Sequence, residues 1–180
     1  MRIISGKYRG KKLKEFNLST TKPTIDRVKE AMFNLVQFDV LDAVVLDLFS
    51  GTGSLGIECI SRGAKYVYMV DNNKDAINII NQNLKGVDGD YKVCLQNYKT
   101  FLETCNNKFD LIFLDPPYAT DYGIDAIDYI LSNDLLNIGG TIIFETSIDH
   151  PLNLEEKNLD IDKRTYGTVA VYKIQRVNND

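Results

Sequence analysis

From residue 43 onward, short unbroken apolar runs alternate with longer stretches in which apolar residues recur every three or four positions. The runs predict strands buried on both faces at 44–48, 66–70, 91–95, 109–114 and 141–144. Between them, helical spacing predicts helices over 55–62, 74–84, 98–104 and 124–131. Strands alternating with helices in this way pack as a parallel sheet covered on both faces, an α/β architecture. The end of the chain departs from that rhythm. Residues 159–164 and 168–174 flank Tyr166-Gly167 with no room for a crossover helix, which predicts an antiparallel hairpin at the sheet edge and brings the strands to seven.

Ahead of the sheet, Val28, Ala31, Met32, Leu35 and Val36 form one apolar helical face, introduced by Lys22-Pro23-Thr24 and capped by Thr24 or Asp26. Residues 2–4 and 10–13 flank a turn at Ser5-Gly6-Lys7, predicting a small β-hairpin over residues 1–21. An isolated hairpin is marginal in water, so this extension is expected to dock on the body or to order on a substrate. The chain shows no repeat and no low-complexity tract. It divides into a basic extension, 1–21, and one main domain, 22–180.

Composition narrows the class. With 44% apolar and 26% charged residues, the 180-residue chain can bury a sizeable core. No apolar run approaches the roughly 20 residues that span a bilayer. The segment from Met1 to Lys7 lacks the apolar stretch of a secretory signal, so no membrane partner and a cytoplasmic address are expected. Cys59, Cys94 and Cys105 have no CxxC spacing, and the single histidine, His150, lies beside Pro151 far from any motif. Carboxylates spread singly along the chain, with no histidine among them, suggest no metal site.

The formal charge of −4 conceals an asymmetry. Residues 1–30 carry nine basic against three acidic side chains, a local charge of +6, which leaves the other 150 residues at −10. A basic arm on an acidic body suits contact with nucleic acid, because each neutralised phosphate releases counterions. Charge alone serves a solubilising terminus equally well.

The strand over 44–48 runs into Phe49-Ser50-Gly51-Thr52-Gly53-Ser54-Leu55-Gly56, a GxGxxG turn opening a helix. Glycine there permits a tight turn, close approach of a ligand to the backbone and close helix packing. Asp71 ends the next strand, eighteen residues beyond Gly53, where a carboxylate can bind the hydroxyls of a ribose. Both NAD and S-adenosylmethionine carry such a ribose. Asp47, a carboxylate inside an apolar strand, needs donors from the turn amides or a cationic ligand.

The fourth strand ends in Asp115-Pro116-Pro117-Tyr118. Consecutive prolines fix the backbone there, so the turn offers a carboxylate, a carbonyl and an aromatic ring together. The exocyclic amine of a base is a poor nucleophile because its lone pair is delocalised into the ring. Two acceptors, the Asp115 side chain and the Pro116 carbonyl, can hold its N–H groups with the lone pair facing a sulfonium methyl, while Tyr118 stacks on an extruded base. This turn favours S-adenosylmethionine over NAD, since a dehydrogenase would leave it without a role.

Asp47 to Gly56 together with Asp115-Pro116-Pro117-Tyr118 resembles the class I, Rossmann-like methyltransferases that act on amino groups. More narrowly, Arg2-Ile3-Ile4-Ser5-Gly6-Lys7-Tyr8-Arg9-Gly10, Lys22-Pro23-Thr24-Ile25-Asp26-Arg27-Val28-Lys29-Glu30-Ala31-Met32-Phe33-Asn34, Leu55-Gly56-Ile57-Glu58 with Ser61-Arg62-Gly63-Ala64, and Tyr166-Gly167 resemble the RsmD family. These are the guanine-N2 methyltransferases of small-subunit (16S) ribosomal RNA.

The resemblance implies that Asp47, Gly51 and Gly53 line the methionine part of S-adenosylmethionine, with Phe49, Thr52 and Asn72 beside the cofactor. It implies Asp71 at the ribose and Asn97 at the adenine. Asp115, Pro116, Pro117 and Tyr118 would hold the target guanine, and the segment from Pro23 to Arg27 would help close the site. Arg2, Lys7, Arg9, Lys11, Lys12, Lys22 and Arg27 would grip RNA within the small subunit or its assembly intermediate, with the protein acting as a monomer. Lys22 stands where the family usually has arginine, which replaces a forked contact by a point charge. Two other functions fit some of the same residues. One is adenine-N6 methylation of DNA or RNA, and the other is a non-catalytic RNA-binding factor of ribosome assembly.

Overall fold

The structure is a computed structural model that describes residues 1–16, 23–156 and 158–178. Helix α1 (Pro23–Leu35) precedes β1 (Val44–Asp47), α2 (Ser54–Ser61), β2 (Tyr66–Asp71), α3 (Lys74–Asn83) and β3 (Tyr91–Leu95). Then come α4 (Tyr98–Thr104), β4 (Phe109–Leu114), α5 (Tyr122–Ser132), β5 (Leu136–Ser147), β6 (Leu159–Tyr166) and β7 (Val169–Arg176). One seven-stranded sheet results, in the order β3-β2-β1-β4-β5-β7-β6. The pairs from β3 to β5 are parallel, and β7 pairs antiparallel with both β5 and β6.

Period-two alternation divides the core. Val45, Leu111 and Phe113 point to one face, where they meet α1, α2 and α3 through residues such as Phe33, Ile57 and Ile80. Leu46, Ile112 and Leu114 point to the other, against Phe101 of α4 and Ile127 and Ile130 of α5. Both faces are thereby covered, which is why the strands read as continuous apolar runs. Strand order reverses at β1, flanked by β2 and β4, and this switch point opens a crevice at the carboxyl ends of the strands. Asp47 lies level with Phe113 in the register, so the chain leaves β1 and β4 side by side.

Two expectations needed correction. Strand β5 runs over Leu136–Ser147 rather than 141–144. Asn137-Ile138-Gly139-Gly140 reads as a turn, and Gly139 does have a φ of 80°, but a register shift against β4 absorbs the irregularity and the strand continues. Helix α1 begins at Pro23, so Asp26 sits inside the first turn, where its charge complements the helix dipole, instead of capping it.

The amino-terminal pairing is reduced to one antiparallel bridge, Arg2 to Lys12, with residues 5–10 in bends and turns. Cross-arm bonds persist from Ile3 N to the Lys11 carbonyl at 3.0 Å and from Leu13 N to the Met1 carbonyl at 2.9 Å, while the amides of Ile4, Ser5, Lys7 and Tyr8 turn to the body. The buried Glu58 carboxylate accepts from the backbone N–H of Ile4 at 2.9 Å and of Ser5 at 3.0 Å. Ser61 accepts from Lys7 N at 2.8 Å through its carbonyl and from Tyr8 N at 2.9 Å through its hydroxyl. Gly6 makes the approach possible, since its φ is 87° and a Cβ there would lie 1.9 Å from the Ser61 carbonyl oxygen. Lys29, also buried, pairs with Glu58 at 3.2 Å, and Arg62 donates to it at 2.9 Å. Ile3 and Leu13 join the same core as α1 and α2. Losing one partner of such a buried ion pair costs about 3–5 kcal/mol, which anchors the arm to the helix that follows the glycine turn.

Candidate active site

The turn after β1 is held open by backbone donors and one carboxylate. Ser50 N donates to the Val70 carbonyl at 2.9 Å, and Gly51 N donates to Asp71 Oδ2 at 2.9 Å. Asp71 Oδ1 accepts from Asn73 N at 2.9 Å, so the carboxylate ending β2 is fixed at the mouth of the turn. Behind the turn, Asp47 is only 1% exposed. Its Oδ2 accepts from Gly56 N at 3.0 Å, while its Oδ1 is buried without a partner. Burial pushes the Asp47 carboxyl up to about 7, against the opposing pull of the Gly56 amide. A Cβ at Gly56 would come within 2.5 Å of Met69 Cγ, so only glycine lets α2 sit this close to β2.

In front of the turn lies a cavity of about 660 Å³. Its walls are Phe49 and Gly51 from the turn, Asp71 and Asn72 from the end of β2, and Asn97 and Tyr98 at the start of α4. The remaining wall is Asp115, Pro116, Pro117 and Tyr118, which leave β4. Asn97 caps α4 by accepting from Lys99 N at 2.9 Å, which leaves its amide N–H groups for a ligand. Gly51 has open space where a Cβ would stand, so a ligand can meet the backbone there. Thr52 instead borders an adjoining cavity of about 230 Å³, shared with Phe16, Met32, Asp115 and Glu145. Gly53, with a φ of 80°, backs onto Ile80 and lines neither cavity, and the same holds for Asp47. Both residues shape the turn from behind.

At the far wall Asp115 meets Glu145 of β5. Tyr118 donates its hydroxyl to Glu145 Oε1 at 3.3 Å, and its ring is 64% exposed toward the cavity. Loss of water around Asp115, and then the neighbouring Glu145 charge, raise its carboxyl well above the ordinary range. Asp115 does expose surface, but into the cavity, where protein surrounds it. Burial raises Glu145 as well. Tyr118 is pushed up to about 12 by desolvation and by these two carboxyls, and stays a hydroxyl donor.

The sequence model of the family described as Conserved hypothetical protein 95 matches residues 1–175. Ribosomal RNA small subunit methyltransferase D of Haemophilus influenzae is 35% identical over 175 residues, covering 94% of this chain and 91% of that protein. The chain belongs to the RsmD family. The Escherichia coli K12 protein of the same name is 27% identical, over 97% of this chain and 88% of its own. The solved structure of yhhF from Escherichia coli superposes with a TM-score of 0.88 at 29% identity, covering 99% of each chain.

In this RsmD chain the described basic side chains of the arm meet different neighbours. Arg2 and Arg9 border a groove of about 390 Å³ with Asp26 and Glu30 of α1. Lys7 turns instead to Asp88 at 3.7 Å, and Lys11 donates to the Lys85 carbonyl at 2.8 Å. Lys12 and Arg27 are exposed, and Lys22 lies outside the described residues.

The sequence reading missed several residues of the site. Glu145 follows its strand's apolar run as Asp71 and Asp115 follow theirs, so the same rule applied to 141–144 would have found it. Phe16 and Tyr122, which line the larger cavity, carry no comparable local signal. Asn83 is buried on α3 and ties three segments together: Nδ2 donates to the Thr52 carbonyl at 2.9 Å and to the Lys14 carbonyl at 3.0 Å, while Oδ1 accepts from Lys14 N at 2.7 Å. That clip brings the end of the arm, and with it Phe16, to the cavity.

Proposed function

We propose that this chain is an S-adenosylmethionine-dependent methyltransferase that modifies the exocyclic N2 amine of a guanine in small-subunit (16S) ribosomal RNA. The observation that carries the reading is one cavity walled on one side by Gly51, Asp71 and Asn97 and on the other by Asp115, Pro116 and Tyr118. Its volume is that of an ordinary cofactor-sized site. Asp71 suits the ribose hydroxyls, the Asn97 amide suits the adenine, and open backbone at Gly51 suits close approach of the methionine part. When bound, S-adenosylmethionine supplies a methyl on a sulfonium, whose carbon–sulfur bond breaks as the nitrogen–carbon bond forms.

The chain's own residues position the amine. Asp115 and the Pro116 carbonyl accept its two N–H groups, which turns the nitrogen lone pair away from them and toward the methyl. Tyr118 offers its exposed ring to the base. The N–H proton becomes acidic as the methyl transfers, and Asp115 takes it before passing it to solvent. Little base strength is required, so a carboxyl serves. The names of the relatives, and the basic arm, support ribosomal RNA as the class of substrate.

Labelled cofactor and small subunits lacking the modification test this. The wild type is expected to transfer methyl groups, with N2-methylguanosine in the digested RNA. Asp115→Ala should lose about a hundredfold or more of the rate while retaining affinity for S-adenosylhomocysteine. N6-methyladenosine as the product, or full activity of Asp115→Ala, would overturn the reading.

A further inference from the structure

Leu114 and Phe144 are partners in the parallel register of β4 and β5. The next residues, Asp115 just past the end of β4 and Glu145 still within β5, therefore stand side by side at the carboxyl end of β4. Both border the 230 Å³ cavity, whose other walls include the apolar side chains of Phe16, Phe49, Met32 and Leu55. A partly apolar cavity bordered by two neighbouring carboxyls is a place for a flat ring whose edge donates hydrogen bonds.

Resting on the guanine reading of this site, we propose that Glu145 is its specificity-determining residue. Its carboxylate accepts the ring N1–H of the target base, beside the N2 amine whose two N–H groups go to Asp115 and the Pro116 carbonyl. Guanine presents three N–H donors in a row along that edge, and Glu145, Asp115 and the Pro116 carbonyl supply acceptors for all three. Adenine presents only the two N–H groups of its amine, with a lone pair at N1 beside them. Against adenine, one carboxylate oxygen would face that lone pair with no donor between, and a site built around a hydrogen bond rejects a ring lacking the donor. Tyr118 fixes Glu145 by donating to Oε1 at 3.3 Å. The high affinity of the two neighbouring carboxyls for a proton fits an arrangement that expects donors between them.

The test places 2-aminopurine at the methylated position, located first by mass spectrometry of the wild-type product, in reconstituted small subunits. That base keeps the N2 amine but has a lone pair at N1. Wild-type enzyme should prefer guanine over 2-aminopurine by about tenfold to a hundredfold in kcat/KM, the range for one buried acceptor left unpaired. Glu145→Gln, whose amide can give an N–H to a bare N1, should lose transfer to guanine and narrow or invert that preference. Its affinity for S-adenosylhomocysteine should match the wild type and so report an intact fold.

Equal use of both bases by the wild type overturns the proposal without any variant. Equal losses on both bases in Glu145→Gln also overturn it, since they indicate that Glu145 only props Asp115. Absence of wild-type transfer to guanine-containing subunits is a separate result that removes the guanine reading and this inference with it.

Discussion

At Asp47, a carboxyl inside the sheet has one partner, the Gly56 amide, and one oxygen with none. Burial raises its proton affinity from the ordinary 3.8 to about 7. Between those values the folded chain holds a proton that the unfolded chain has released, so stability falls as pH rises through that window and levels off above it. Asp47→Asn cannot titrate. The stability gap between wild type and this variant is therefore expected to shrink with rising pH, by about 1 kcal/mol per pH unit between 4 and 7. Denaturant melts at several pH values check this, and a gap independent of pH would contradict it. A carboxylate in an apolar run was visible in the sequence as a residue needing donors. Its position behind the turn was not, because which face of a strand end meets a cavity depends on the neighbouring loop.

Among the elements, the amino-terminal arm is the one whose role changed most. Its residues suggested a hairpin, and the pairing is confined to the Arg2–Lys12 bridge with the Ile3 and Leu13 amides beside it, because Glu58 and Ser61 take the amides of Ile4, Ser5, Lys7 and Tyr8. Asn83 then joins Lys14 to Thr52, so the arm's end and the glycine turn share one buried amide. Asn83→Ala leaves the Lys14 and Thr52 backbone groups without that partner. The expected cost is about 1–3 kcal/mol in stability, with affinity for S-adenosylhomocysteine reduced roughly fivefold for each 1 kcal/mol that reaches the turn. Calorimetry on the folded variant measures the second effect, and unchanged affinity would separate the arm from the cofactor side. By contrast β3, α4 and β4 lie where their periodicity put them, since apolar runs bounded by polar turns leave little freedom.

For the whole molecule, charge is divided rather than spread, with +6 on the first 30 residues of a chain of net −4. Binding to small-subunit RNA should weaken steeply with salt if the arm meets phosphates. Replacing Arg2 and Arg9 together by alanine should reduce the slope of log K against log salt by about one to two. Filter binding over a range of salt measures it, and an unchanged slope would take these two residues out of the interface. Lys7 and Lys11, already engaged by Asp88 and Lys85, are expected to matter less. By itself the sequence determined the alternating α/β order, the parallel sheet with its antiparallel end, the glycine turn and the Asp115 to Tyr118 turn. Those features are legible because they rest on local periodicity and on backbone constraints that glycine and proline impose. Only the tertiary structure decided that Glu145 stands beside Asp115, that Phe16 reaches the cavity, and that Glu58 and Asn83 bind the arm. Each joins residues that are distant in sequence, and such a meeting is set by strand register and helix packing rather than by any local pattern.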